Sequence, residues 1–148
     1  LIGFPLEFSA IRDRRPISVG RVRITPFHTR HLENLRNSFR NIHRQAFECF
    51  SFVIEAPGLR LAHTADIGQV EDLAPLLTQP LDHLLCELAH CGLEETCQTL
   101  RDRPIGHITF NHLSRELWAA LPETRRRLKQ RLGGIPFSIA RDDQVVSL

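Results

Sequence analysis

The sequence runs to 148 residues, enough for one domain of ordinary size and too few for two. With 42% hydrophobic and 24% charged residues it has the balance of a soluble globular protein, and no apolar run approaches the ~20 residues of a membrane span. A net charge of +2 is too small to argue for nucleic acid, and Lys129, the one lysine among many arginines, carries no functional conclusion. Residues 1–18 are irregular and rich in proline and arginine. Val19–Phe27 alternates apolar and polar residues and predicts a strand. Leu32–Ala46 is polar and arginine-rich, a long loop or a short helix. Glu48–Glu55 alternates cleanly as a strand, Ala56-Pro57-Gly58 is a turn signal, and Leu59–Ala62 resumes an extended segment, so the pair predicts a hairpin.

Helical spacing over Val70–Leu77 is stopped by Pro80. Leu81–Leu88 is a short apolar run of the kind found in buried parallel strands. Leu93–Arg101 predicts a helix, Pro104–Phe110 a second buried strand, and Ser114–Gln130 a helix that Ser114 caps and Gly133-Gly134 end. Arg125, Arg126, Arg127 and Lys129 stand near its C-terminal end, where the helix dipole favours cations. Two short strands are expected to close the chain. Strands first, then strand alternating with helix, is an α/β layout within a single domain, 1–148.

Cys49, Cys86, Cys91 and Cys97 form no CxxC pair, so a cysteine zinc site is not expected. Reduced, partly buried thiols in a cytoplasmic protein fit their positions. The sequence has no methionine and opens on Leu1-Ile2-Gly3 without the pattern of a signal peptide, so further sequence ahead of Leu1 is expected.

Of the eight histidines, three sites that include an acid share one property: each follows a predicted strand. His28 and His31 follow Val19–Phe27, Asp66 follows Leu59–Ala62, and His112 follows Pro104–Phe110. Open α/β sheets bind ligands beyond the carboxyl ends of their strands, where loops from several strands meet. Two imidazoles and a carboxylate arriving there make a candidate metal constellation, against the plainer reading of Asp66 as a turn or cap and the histidines as solvated. The remaining histidines read as ordinary: His83 and His107 as satisfied core residues, His43 as part of an arginine-rich stretch, His63 as a neighbour of Asp66. Arg36, Arg40 and Arg44 share one face if helical, a solvated face or a phosphate-recognising one. Trp118 is expected to pack on the core.

The order and surroundings of these residues resemble the metallo-β-lactamase fold superfamily. FSFVIEAPGLRLAHTADIG at Phe50–Gly68 is similar to its hairpin and the turn after it, with Asp66 and Gly68 matching and Ala65 where glycine is usual. PLDHLLCELAH at Pro80–His90 resembles its next strand and loop. IGHITFNHLSRE at Ile105–Glu116 resembles its last metal motif, and ITPFHTRHLEN at Ile24–Asn34 the strand end that supplies an earlier histidine. The matches cover about residues 19–118. The ribonuclease Z-like and phosphodiesterase-like branch is the most similar, with Cys86 where that branch often has histidine and Leu117 where it has an aromatic residue.

The resemblance implies half of a four-layer αββα sandwich, a mixed sheet with flanking helices. It implies a hydrolase with two metal ions, usually zinc, with manganese or iron as alternatives, acting on an ester or phosphodiester. The family's last ligands correspond to His31 (or His28), Asp66 as the bridging carboxylate, and His112. Asp66 and His90 are then the catalytic candidates, His90 as a proton donor to the leaving group. Glu87 and His90 could equally orient His112, or be polar residues of a surface loop.

The family's diagnostic H-x-H-x-D-H is absent, so the chain reads as the C-terminal half of the domain. Three ligands split between two metals leave each ion at most two protein groups, short of the usual three. The chain alone is therefore expected to bind a dinuclear centre weakly or not at all. Expected partners are a small-molecule or phosphodiester substrate, the N-terminal half or a partner chain, and no membrane. The alternative is a non-catalytic half-domain that keeps the fold for pairing, whose exposed apolar sheet face would make it a homo-oligomer.

Overall fold

The computed structural model describes residues 3, 5, 8–39, 41 and 47–146. Seven strands form one sheet in chain order: β1 (Ile17–Val19), β2 (Val22–Thr29), β3 (Cys49–Ala56), β4 (Leu59–His63), β5 (Leu81–Leu88), β6 (Ile105–Leu113) and β7 (Phe137–Ile139). β1 to β4 pair antiparallel, and β4 to β7 pair parallel. The switch follows from connection length. Two residues join β3 to β4, with Gly58 at φ +76 behind Pro57 in a type II arrangement. The parallel strands need crossovers, and the chain supplies them as a 3-10 turn (Val70–Leu73), α2 (Leu93–Leu100), and α3 (Arg115–Ala119) with α4 (Leu121–Arg131). The remaining helix, α1 (Glu33–Phe39), follows β2.

These crossovers cover one face of the sheet. Val53, Ala62, Leu84, Cys86, Ile108, Phe110 and Ile139 bury there against Leu73, Leu76, Leu93, Cys97, Leu100, Leu128 and Leu132. At ~25 cal/mol per Å² of apolar surface removed from water, this layer is the main source of stability. On the opposite face Phe52, Ile54, Leu61 and Leu85 are half-buried and stand outside that core. His83 and His107 lie on this second face in adjacent strands, and both are hydrogen-bonded: His83 Nε2 is 2.9 Å from Thr109 Oγ1, and His107 Nε2 is 3.1 Å from Ser138 Oγ. All four cysteines are free thiols. Among the described residues no helix is long and apolar enough to cross a membrane.

Several expectations are corrected. Val19–Phe27 is not one strand: Gly20, at φ +59, folds it into the β1–β2 hairpin, and β2 runs on to Thr29. His28 therefore lies inside β2. Val70–Leu77 is not an α-helix, because Pro75 lacks an N–H and the backbone closes i→i−3 bonds instead (Ala74 N to Glu71 O, Leu76 N to Leu73 O). The helix over Ser114–Gln130 is broken into α3 and α4 by Pro122, whose ring would collide with the carbonyl of Trp118 in a continuous helix. The break turns Leu117 toward the core and leaves Trp118 49% exposed, not packed on it. One closing strand, β7, is present among the described residues. β6 extends past Phe110, so His112 lies within that strand. His43, Arg40 and Arg44 fall outside the described residues.

Candidate metal centre

Three polar side chains from separate strand ends converge at one edge of the sheet. Asp66 follows β4, and its backbone carbonyl accepts from Thr29 Oγ1 at 2.9 Å and from Cys49 Sγ at 3.4 Å. This ties the turn after β4 to the ends of β2 and β3. Ala65, just before it, has φ +48, a left-handed conformation that costs an L-residue about 1 kcal/mol.

His31 reaches the same edge from the turn after β2. The buried Asp72 carboxylate clips the two turns together: its Oδ2 accepts from Arg30 N at 3.0 Å and Gly68 N at 2.9 Å. The Asp66-Ile67-Gly68 turn thereby lies directly on the Arg30–His31 peptide. His31 Nε2 stands 3.8 Å from Asp66 Oδ2.

His112 arrives through a bulge. Glu87 pairs with Asn111 and Leu88 with Leu113, so His112 is the extra residue of β6, at φ +43. An extra residue in a strand re-aims its side chain, and His112 Nδ1 lies 2.9 Å from Asp66 Oδ1. Next to it the end of β5 supplies Glu87, whose side chain is 2% exposed. Glu87 Oε1 accepts from Ile67 N at 2.9 Å, and Oε2 accepts from Ala89 N at 2.7 Å and His90 N at 3.0 Å. Oε1 also lies 3.0 Å from His90 Nδ1. A buried carboxylate with this many donors is a structural post, and here it sets the ring of His90.

Five side chains form two overlapping donor sets that share His90. In one, His31, Asp66 and His90 offer ligand atoms within 4.8 Å of one another; in the other, Glu87, His90 and His112 do. The rings of His31 and His90 are 4.3 Å apart by centroid, and those of His90 and His112 5.2 Å. Imidazole and carboxylate donors at this spacing suit a zinc-class divalent ion. A cavity of about 300 Å³ opens beside them, lined by Cys49, His63, Ala65, Asp66, Glu87, Asn111 and His112. Burial holds the His63 imidazole below its ordinary pKa of 6.5, with Asp66 opposing the shift.

Of the two candidates for the first histidine, the structure places His31 at this edge. His28 instead packs edge-on against Phe50, its ring 5.8 Å away by centroid, with its backbone N–H on Asp13. Sequence reasoning missed Asp72, Thr29 and Cys49 as the groups that hold the turns. Their partners lie far along the chain, so no local pattern marks them.

No protein-family model matches the sequence, and no curated protein does. Solved structures do match. The chain is similar to the metallo-β-lactamase fold protein YhfI from Bacillus subtilis (TM-score 0.67, 19% identity, 90% of this chain and 51% of that one). It is also similar to a proposed metal-dependent hydrolase from Parabacteroides distasonis (0.63, 13%, 90% and 57%). A third is Zn(2+)-bound PqqB from Methylobacterium extorquens (0.57, 17%, 93% and 51%). The chain thus spans about half the length of the structures it matches, and over that span its mixed seven-stranded sheet with flanking helices has the metallo-β-lactamase fold.

Proposed function

We propose that the chain is the C-terminal half of a metal-dependent hydrolase acting on an ester or phosphodiester. The observation that carries this reading is the meeting of His31, Asp66 and His112 at the carboxyl edge of the sheet. A dinuclear zinc centre is the expected cofactor, with manganese or iron as alternatives. When bound, such a pair supplies Lewis acidity, lowering the pKa of a water and neutralising charge on the substrate. Asp66, His31 and His112 are the residues of this chain that would hold such a centre, Asp66 through its carboxylate and the two histidines as neutral imidazoles. His90, braced by Glu87, is the group that hands a proton to the leaving oxygen. The remaining ligands come from an N-terminal half, in the same polypeptide or in another chain. The phosphodiesterase-like branch is the preferred substrate class, and the cytoplasm the preferred location.

Phe52, Ile54, Leu61 and Leu85 favour a second role for the same chain: their half-buried sheet face fits a pairing surface, for that N-terminal half or for a second copy.

The test is turnover of bis(p-nitrophenyl) phosphate and p-nitrophenyl acetate by zinc- or manganese-loaded protein carrying both halves. Asp66→Ala should abolish turnover together with metal content. Equal turnover by the parent and by Asp66→Ala would overturn the reading.

A further inference from the structure

Counting ligands in the sequence leaves each of two ions with too few protein groups. The structure changes that count, because His90 enters the same cluster. We propose that the 148-residue chain is itself a mononuclear metal site in which His90 is a ligand: one zinc-class divalent ion held by His31, Asp66 and His90. The proposal rests on the reading that Asp66 and His31 are metal ligands, and adds to it a ligand and a stoichiometry for this chain alone.

Three observations carry it. The gap of 3.8 Å between His31 Nε2 and Asp66 Oδ2 is too long for a hydrogen bond, and is close to the span of two ligands on one tetrahedral zinc, about 3.3 Å for bonds of about 2.0–2.1 Å. Asp66 uses its other oxygen, Oδ1, for His112, which leaves Oδ2 facing His31. Finally, Glu87 sits 3.0 Å from His90 Nδ1. With the Nδ1 proton donated to Glu87, the lone pair of His90 is on Nε2. Carboxylate, histidine and metal in line is the arrangement by which proteins fix the tautomer of a ligating histidine. Glu87 is well suited to it, being held by three backbone N–H groups and almost fully buried. The donor atoms, all within 4.8 Å of one another, need to close by at most about 1.5 Å. The side chains of His31, Asp66 and His90 are 23%, 41% and 33% exposed, so none is locked by full burial.

The two roles of His90 belong to two states. In the complete site, ligands from the other half take the remaining metal positions and His90 serves the leaving group. In this chain alone, His90 takes one of those positions.

The experiment uses the purified 148-residue chain stripped of metal. Zinc is added and counted per chain after gel filtration, cobalt is titrated by its visible absorption, and the ring nitrogens of His90 are followed by long-range ¹H–¹⁵N NMR. One ion per chain and a zinc-induced shift of His90 Nε2 are expected. His90→Ala and the size-preserving His90→Gln should weaken binding at least about tenfold, and Glu87→Gln by about tenfold through loss of the brace. His28→Ala should bind like the parent. Amide spectra of each variant confirm that it is folded. A His90 ring unchanged at zinc saturation, or His90 variants with parental affinity, would overturn the proposal while leaving the His31–Asp66–His112 reading standing. A chain that takes up no zinc would overturn it as well, and turnover by the two-half protein would then still decide the hydrolase reading.

Discussion

A Cβ placed on Gly68 would lie 2.6 Å from the backbone nitrogen of His31 and 2.4 Å from the carbonyl carbon of Arg30. Both contacts are to backbone, so no side-chain rotation relieves them. The turn that carries Asp66 can rest on the turn that carries His31 only because residue 68 has no side chain. Gly68→Ala must separate the two turns and strain the Asp72 clip. A loss of about 1–3 kcal/mol is expected from overpacking, read by chemical denaturation, together with weaker zinc binding. A variant with parental stability and parental affinity would show that the two turns are not interdependent.

Glu87 is the second device that sets the site. Glu87→Ala leaves the N–H groups of Ile67, Ala89 and His90 without their acceptor, the first of them buried and the other two half-buried. The expected cost is about 1–3 kcal/mol, the range for leaving a buried donor unsatisfied. Glu87→Gln keeps an acceptor oxygen and should cost less. Equal losses for the two substitutions would mean that the carboxylate acts only by filling space.

Ala65 tests the strain beside Asp66. At φ +48 an alanine is held in a conformation that glycine adopts freely. Relief of about 1 kcal/mol in the folded state is partly offset by the greater freedom of glycine in the unfolded chain. Ala65→Gly should therefore raise stability by a few tenths to about 1 kcal/mol. A melting temperature that falls would show that the alanine methyl packs to advantage.

What the sequence discloses and what it hides divide along a physical line. The β3–β4 hairpin is legible because alternation and Pro57-Gly58 are local signals, and β5 because a strand covered by crossovers becomes continuously apolar. Asp66 and His31 are legible as strand-end residues. The position of His112 inside β6 is not, because its bulge is defined by the register against β5, a relation between residues far apart in sequence. Asp72 reads as a helical residue until its carboxylate is seen on Arg30, 42 positions away. The break at Pro122 is a local signal, outweighed in the sequence by the Ser114 cap and by the basic residues near the C-terminal end.

Phe110 anchors the covered face. It is fully buried in β6, and its ring meets Phe137 edge-on at 6.2 Å. Phe110→Leu should cost about 1–2 kcal/mol and Phe110→Ala about 3–5 kcal/mol, measured by denaturant unfolding. Phe52→Ala, on the uncovered face, should cost much less in this chain. Equal costs at the two positions would mean that both sheet faces are packed in solution.

Mild acid should weaken the fold through two desolvated histidines. Burial holds His63 and His83 below the ordinary histidine value of 6.5, with His107 adding to the effect on His83 and Asp66 opposing it on His63. Between those lowered values and 6.5 the unfolded chain binds more protons than the folded one, so stability rises with pH there. It is lost as pH falls through 6.5 toward the folded values. The acids with shifted pKa values (Glu94, Glu116 and Glu123) all lie below 4.5 and leave this window alone. Melting temperatures should therefore be lower at about pH 5.5 than at about pH 7.5, and a double variant His63→Asn, His83→Gln should show a flatter dependence. A parent chain equally stable at both pH values would mean that neither imidazole is desolvated as placed.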